Sequence, residues 1–118
     1  MSDQTPQAVH ACPELIGWLI PQLDKFPRLR RFTLGERLEQ ALLEVLELLL
    51  EAAYTRAKQP ALQRANLRLE VARHLWRLAH ELQAVSTRRY AHGAGLMDDL
   101  GRQIGGWLRS SRGGGEAS

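Results

Sequence analysis

A long series of leucines and alanines with helical spacing constrains the fold of this chain more than any other feature. Between Leu34 and Ala52 apolar residues recur at intervals of three and four, and polar residues are confined to one narrow track. This pattern predicts a helix that is buried around most of its circumference. The stripe contains Leu34, Leu38, Ala41, Leu42, Val45, Leu48, Leu49 and Ala52, and Leu43, Leu46 and Leu50 widen it. The polar track contains Glu36, Gln40, Glu44, Glu47 and Glu51.

Three further segments carry apolar residues at helical intervals, and none of them alternates with the period of two that a strand needs. The first is expected over about 13–25, with Pro13 as its first residue and a kink at Pro21. The third is expected over about 60–84, and the fourth runs from an N-cap at Ser86 to about residue 109. The sequence therefore predicts an all-α, up-and-down antiparallel four-helix bundle over 12–110. Flexible tails are expected at 1–11 and at the Gly-rich 111–118.

The start of the second helix has two possible positions. Pro27 suits a helix that begins at once and carries the following arginines on its first turns. Thr33 and Glu36 instead have the spacing of a capping box, which would start the helix later.

The third helix has apolar residues on two faces. One face, with Leu62, Leu69 and Trp76, suits the core of a bundle. The other face would be exposed on a monomer, and large exposed apolar surfaces are unusual. We therefore expect a homo-oligomer whose interface contains Leu67, Val71, Leu75, Leu78 and Leu82.

Cysteine content and hydropathy limit the compartment. Cys12 is the single cysteine, which excludes an intrachain disulfide and a thiolate metal cluster and fits a reducing cytoplasm. Its place near the N-terminus predicts a frayed environment. The sequence shows no signal peptide and no apolar stretch long enough for a transmembrane helix, so we expect a cytoplasmic protein without a membrane role.

Patterns that would indicate an enzyme or a cofactor are missing from the sequence. Di-iron bundles need Glu-x-x-His, which does not occur, and the segment "HELQA" has Ala84 where a zinc protease needs a second histidine. No serine or cysteine lies in a nucleophile motif. The sequence therefore predicts no catalytic residue, no cofactor and no metal. Gly101 and Gly105, on one face of the fourth helix, suggest a close helix contact.

Basic residues are the main indication of a binding function. The chain has 16 Lys and Arg against 13 Asp and Glu, and all but Lys25 and Lys58 of the basic residues are arginine. Arginine suits bidentate contacts with phosphate or carboxylate. Two interpretations stay open for the arginines of the third helix: they bind a polyanion, or they pair with the glutamate track of the second helix. The candidate binding residues are Arg28, Arg30, Arg31, Arg64, Arg68, Arg73, Arg77, Arg88 and Arg89.

Five stretches carry a resemblance to a known family. They are "KFPRLRRFTLGERL", "LLLEAAYTRAK", "ANLRLEVARHLWRLAHEL", "STRRY" and "LGRQIGGWLR". In this order and spacing they resemble the accessory variability determinant proteins of diversity-generating retroelements. These belong to a four-helix-bundle family that also contains the proteins encoded in intervening sequences of large ribosomal RNA. The resemblance covers about residues 14–109, and the Phe-Pro-Arg element and the Gly-Gly-Trp ending are its most specific parts.

The resemblance implies a protein that is not an enzyme, forms a homopentamer, and binds template RNA and possibly DNA. It also implies association with the reverse transcriptase of the retroelement during mutagenic reverse transcription and retrohoming. The alternative is a structural homo-oligomer of the intervening-sequence type, whose arginines pair with glutamates of adjacent subunits.

Overall fold

Helices make up nearly all of the chain. The computed structural model describes residues 6–117, and the side chains of residues 6–111. Helix α2 is continuous but has three parts, because a π-helical turn separates its first turn from its main α-helical part. Within residues 6–117 the helices are α1, Gln7–Asp24; α2, formed by Arg28–Arg30, the π-helical turn Arg31–Gly35 and Glu36–Ala53; α3, Lys58–Glu81; and α4, Thr87–Ala117.

Each helix packs against the helices next to it in the sequence, and α1 also packs against α4. Helix α1 packs against α2 and α4, and α3 packs against the same two helices from the other side. Connections of three to five residues join successive helices, so neighbours run in opposite directions. The molecule measures 50 × 22 × 22 Å. The predicted all-α, up-and-down four-helix bundle is confirmed.

Apolar side chains fill the space between the helices. Leu38 and Val45 of α2, Leu69 and Trp76 of α3, and Ile104 of α4 are all at most 1% exposed. No polar or charged residue is buried in the part of the chain that the structure describes. The predicted core position of Trp76 is confirmed, and Trp107 is also buried, whereas Trp18 is only partly buried. Across residues 6–117, no helix has the length and apolarity needed to span a bilayer.

The prediction for the start of α1 was wrong. The helix begins at Gln7, with Pro6 as its N-cap, and Pro13 and Pro21 both lie inside it. Ala8 and Cys12 extend the buried stripe of this helix toward the N-terminus. We attribute the earlier start to their burial, which favours the helix despite the hydrogen bond that Pro13 cannot donate. The predicted kink at Pro21 stays a prediction.

The tail predictions are only partly covered by the described residues. Residues 1–5 and residue 118 lie outside the described part of the chain. Residues 7–11 belong to α1, and residues 111–117 continue α4 beyond the predicted end near residue 109. The flexibility proposed for the two tails stays a prediction.

The earlier of the two possible starts of α2 is the correct one. Pro27 occupies the N-cap position, and its carbonyl accepts hydrogen bonds from the backbone N–H groups of Arg30 and Arg31 at 2.8 and 2.9 Å. Thr33 does not cap a helix, because its hydroxyl donates to the carbonyl of Leu29 at 3.0 Å within α2. The arginines after Pro27 therefore lie on the first turns of α2.

Local hydrogen bonds define the connections on both sides of α3. Lys58 Nζ donates to the carbonyls of Ala52 and Thr55 at 2.8 and 2.7 Å and so satisfies acceptors near the end of α2. After α3 the chain reverses through Gln83, whose φ is 64°. Ser86 then caps α4 as predicted, because its Oγ accepts a hydrogen bond from the backbone N–H of Arg89 at 3.2 Å.

Candidate nucleic-acid interface

Two connections of the bundle meet at one end of the molecule. They are residues 25–27, between α1 and α2, and residues 82–86, between α3 and α4. Lys25 and Pro27 line the same shallow cleft as His80, Ser86 and Arg89. Antiparallel topology thus brings together two basic stretches that are far apart in the sequence. Residues 24–31 and 80–89 contain six Lys and Arg against two Asp and Glu.

We call the residues Lys25, Arg28, Arg30, Arg88 and Arg89 the basic pole. Lys25, Arg28 and Arg88 are exposed, and Arg30 and Arg89 are half-buried. Among the described side chains, no carboxylate lies within 4.0 Å of a charged nitrogen of any of the five. The charges of Lys25, Arg28 and Arg88 face solvent, where they are available to an anionic partner. Arg89 differs, because its Nε is buried and has no hydrogen-bond partner among the described residues.

Aromatic side chains pack together on the interior side of the basic pole. Phe26 and Tyr90 stack on Trp76 with ring centroids 6.4 and 6.2 Å apart, and His80 stacks on Tyr90 at 4.6 Å. Trp76 Nε1 also donates a hydrogen bond to the carbonyl of Tyr90 at 2.9 Å. Phe26 follows Lys25, and Tyr90 follows Arg89, so this cluster fixes the backbone that carries the pole.

Gly93 makes that aromatic packing possible. A Cβ added to this glycine would lie 2.7–2.8 Å from the indole ring of Trp76, which is closer than real Cβ contacts come. Because the indole of Trp76 is a rigid ring that is fully buried, the ring and its neighbours would have to shift to admit a methyl group. The structure therefore requires glycine where the sequence has "HGAGL".

The predicted close contact at Gly101 and Gly105 is not found within the chain. An added Cβ at Gly105 would meet only the Arg109 side chain of the same helix, at 3.6 Å. At Gly101 it would meet Arg73 and Leu69 of α3 at ordinary distances of 3.4 and 3.6 Å. The i, i+4 spacing of glycines was misleading, since the tight packing of α4 lies at Gly93.

The arginines of α3 have carboxylate partners. Each of them lies within 4.0 Å of an Asp or Glu oxygen, on α2, on α4 or on α3 itself. We call them the flank arginines, and their pairs are Arg64 with Glu51 (3.9 Å), Arg68 with Glu44 (3.5 Å), Arg73 with Asp98 (2.7 Å) and Arg77 with Glu81 (3.6 Å). The pairs of Arg64 and Arg68 are those expected if arginines of α3 form ion pairs with the glutamate track of α2.

Arg31 lies beside the basic pole but also has partners. Its Nε lies 3.3 Å from a carboxylate oxygen of Asp24, at the end of α1, and its Nη2 lies 3.3 Å from one of Glu39 on α2. The side chain is 23% exposed. The candidate binding residues of the sequence therefore divide into basic-pole residues, flank arginines and Arg31.

Large apolar side chains are exposed on α2, on α3 and in the connections that follow these two helices. In the part of the chain that the structure describes, exposed large apolar residues are confined to residues 29–82. Within the predicted interface, Leu67, Leu78 and Leu82 are 60%, 41% and 43% exposed, while Val71 and Leu75 are partly buried. Phe32 extends this surface, because it lines a groove with Leu75 and Leu82. We call Phe32, Leu67, Leu75, Leu78 and Leu82 the apolar surface.

The sequence suggested a frayed environment for Cys12, and this prediction was wrong. Cys12 is fully buried in α1, and burial raises the pKa of its thiol to about 12. A thiol in this state is a poor nucleophile near neutral pH. Among the described side chains no three His, Cys, Asp or Glu residues lie together as metal ligands.

Comparison with protein families adds an independent observation. The model of the bAvd-like family matches residues 8–111, which is most of the chain. The chain belongs to the bAvd-like family. This finding confirms the resemblance to accessory variability determinant proteins on a region that includes the entire basic pole. A comparison with curated proteins gives no match.

Sequence reasoning missed several features of this bAvd-like chain. Lys25 was not among the candidate residues, although it follows α1 directly and shares a cleft with Arg89. Phe32 was not assigned to the exposed surface, because the π-helical turn that precedes Glu36 has no simple sequence signature. The concentration of glutamates on α2 was a usable signal for the pairing of Arg64 and Arg68.

Proposed function

We propose that this protein is a non-enzymatic accessory protein of a diversity-generating retroelement, which binds template RNA and the reverse transcriptase through its basic pole. Membership of the bAvd-like family supports the biological setting. The observation that carries the site is that two separate connections bring basic residues without carboxylate partners to one end of the bundle. Its place of action is the cytoplasm, where the thiol of Cys12 stays reduced.

Contacts with phosphate account for how such a pole binds nucleic acid. Arginine and lysine neutralise phosphates, release counterions and give an affinity that falls steeply with salt. Contacts of this kind carry little information about base sequence. On this account the protein holds RNA, and possibly DNA, near the reverse transcriptase, and the choice of sequence comes from the enzyme or from the structure of the RNA.

We also propose that the protein is a homo-oligomer that associates through the apolar surface, a pentamer if it follows the resemblance. Support comes from the exposure of Leu67 and Leu78, whose burial would stabilise an assembly by roughly 25 cal/mol for each Å² of apolar area removed from water. Repetition of the basic pole around a ring would join weak phosphate sites into a stronger one.

Binding and association test the proposed function directly. Fluorescence anisotropy with a structured template RNA, and co-purification with a diversity-generating retroelement reverse transcriptase, should both give a complex at low salt. If wild-type protein binds neither RNA nor DNA and does not associate with the enzyme, the structural homo-oligomer replaces this proposal.

Light scattering tests the oligomer separately. Wild type should have a mass of several subunits at micromolar concentration, and Leu67→Glu with Leu78→Glu should lower it because buried charges are unfavourable. Gln63→Glu adds the same kind of charge to an exposed position of α3 and serves as the control. A wild-type mass of one subunit would rule out the assembly.

A further inference from the structure

Arg31 joins the end of α1 to α2, the helix that carries Arg28 and Arg30 of the basic pole. Its guanidinium lies between Asp24, at the end of α1, and Glu39, one turn into the regular part of α2. Both carboxylate oxygens lie 3.3 Å from the guanidinium nitrogens. Planar guanidinium groups suit such double contacts, because their N–H donors point in fixed directions. The side chain thus ties residues on both sides of Arg28 and Arg30 to each other.

A buried glycine makes room for this arrangement. A Cβ on Gly35 would lie 3.3 Å from Arg31 Nη1 and 3.4 Å from its Cδ, so the arginine lies directly over Gly35. Both residues belong to the π-helical turn Arg31–Gly35. A π-helical turn adds a residue to a helix and rotates what precedes it by about 100° relative to a regular α-helix. The turn therefore decides the direction in which Arg28 and Arg30 point.

We infer that Arg31 is a positioning residue, which holds the π-helical turn so that Arg28 and Arg30 face a phosphate backbone, and is not itself a phosphate ligand. This inference rests on the proposed function of the basic pole. Two of its nitrogens already contact carboxylates, and its side chain is only 23% exposed. By contrast, Arg28 is exposed and has no carboxylate within 4.0 Å among the described side chains.

Positioning and direct electrostatics predict opposite signs for one substitution. Asp24→Asn removes a negative charge next to the basic pole, which by electrostatics alone should tighten the binding of an anion. If Asp24 acts by holding Arg31, the same substitution releases the turn and should weaken binding. Glu81→Gln is the matched control, because Glu81 is a carboxylate that lines the cleft at this pole but pairs with Arg77 and not with Arg31.

A second substitution distinguishes a role of the Arg31 guanidinium in holding the turn from a role of its positive charge alone. Arg31→Lys keeps the charge but has no planar fork with which to reach Asp24 and Glu39 together. A direct phosphate contact would survive this change in large part, since lysine also binds phosphate. A positioning role would not survive it.

The experiment measures the affinity of the full chain for a structured RNA by anisotropy at fixed low salt. Asp24→Asn and Arg31→Lys should each weaken binding by about fivefold or more, a change that corresponds to about 1 kcal/mol. Glu81→Gln should leave affinity unchanged or raise it. Amide hydrogen exchange supplies a second readout, in which Asp24→Asn should speed exchange at residues 30–36 and Glu81→Gln should not.

Other results would overturn the inference. Unchanged or tighter binding by Asp24→Asn, full affinity in Arg31→Lys, or equal weakening by Glu81→Gln would each contradict it. If wild type binds no nucleic acid, the proposed function fails, and hydrogen exchange still decides whether Arg31 holds the turn. Unaltered exchange at residues 30–36 in Asp24→Asn would then contradict that role as well.

Discussion

The basic pole and the flank arginines carry the same type of side chain in different surroundings. At the pole, backbone positions are fixed by the stacked rings of Phe26, Trp76 and Tyr90, and no carboxylate among the described side chains lies within 4.0 Å of the cations. Along the flank, each arginine lies beside an Asp or Glu of the bundle. We therefore expect an anion to bind at the pole and not along the flank, since paired cations are partly neutralised while those of the pole are not.

The largest effect is expected from a substitution that disturbs the aromatic cluster beneath the basic pole. Gly93→Ala would force a methyl group into the indole of Trp76, which carries Phe26 and Tyr90 beneath the pole. We expect a loss of about 1–3 kcal/mol in the free energy of unfolding, as overpacking commonly causes. Urea denaturation followed by tryptophan fluorescence measures it.

Gly95→Ala is the matched control for that substitution. An added Cβ at Gly95 would meet nothing within 4 Å, and alanine has a better helix propensity by about 1 kcal/mol. Gly95→Ala should therefore stabilise the protein. Equal effects of the two alanines would show that Trp76 does not hold α4 in the way described.

The free energy of unfolding should fall at high pH because of Cys12, which lies in the core and not at the basic pole. Burial raises the pKa of Cys12 to about 12, against the ordinary value of 9.0, so the thiol stabilises the fold below pH 9.0 and this contribution falls as pH rises toward 12. By about pH 10 the loss should be roughly 1.4 kcal/mol, one pKa unit of linkage. The difference in unfolding free energy between wild type and Cys12→Ala should narrow by this amount, and a difference that stays constant would contradict it.

The pairs between α2 and α3 should have the smallest effect. Arg64→Ala with Arg68→Ala removes two ion pairs at 3.9 and 3.5 Å whose side chains are about half exposed. Exposed pairs contribute about 0–1 kcal/mol each, so the melting temperature should fall only slightly. Thermal unfolding by circular dichroism measures it. A loss well above this range would mean that the flank arginines hold the bundle together.

Much of the fold could be predicted from the sequence because helical periodicity reports burial directly. The core stripes of α2 and α3 and the N-cap at Ser86 were predicted correctly, whereas Leu50, which was predicted to widen the stripe of α2, is 40% exposed. The start of α1 was not, because Pro13 has a strong preference for a first helical position, and the burial of Ala8 and Cys12 outweighed that preference. Local signals decide such boundaries only where tertiary packing is neutral.

Less of the candidate site could be predicted, for a physical reason. Pairing depends on distances between helices, and the sequence shows which residues are charged but not which of them meet. Arg31 and Arg28 are three positions apart and look alike in the sequence, yet one contacts Asp24 and Glu39 and the other is exposed. Lys25 and Arg89 come together only because the bundle is antiparallel.

The salt dependence of RNA binding by two variants of equal charge tests the central claim most directly. One replaces Arg28, Arg30 and Arg88 of the basic pole by alanine, and the other replaces the flank residues Arg64, Arg68 and Arg73. The pole variant should bind more weakly, and its log–log slope against salt should fall by about 0.7–0.9 for each phosphate that it no longer neutralises, while the flank variant stays close to wild type. Equal weakening in the two variants, or greater weakening in the flank variant, would contradict the assignment of nucleic-acid binding to the basic pole.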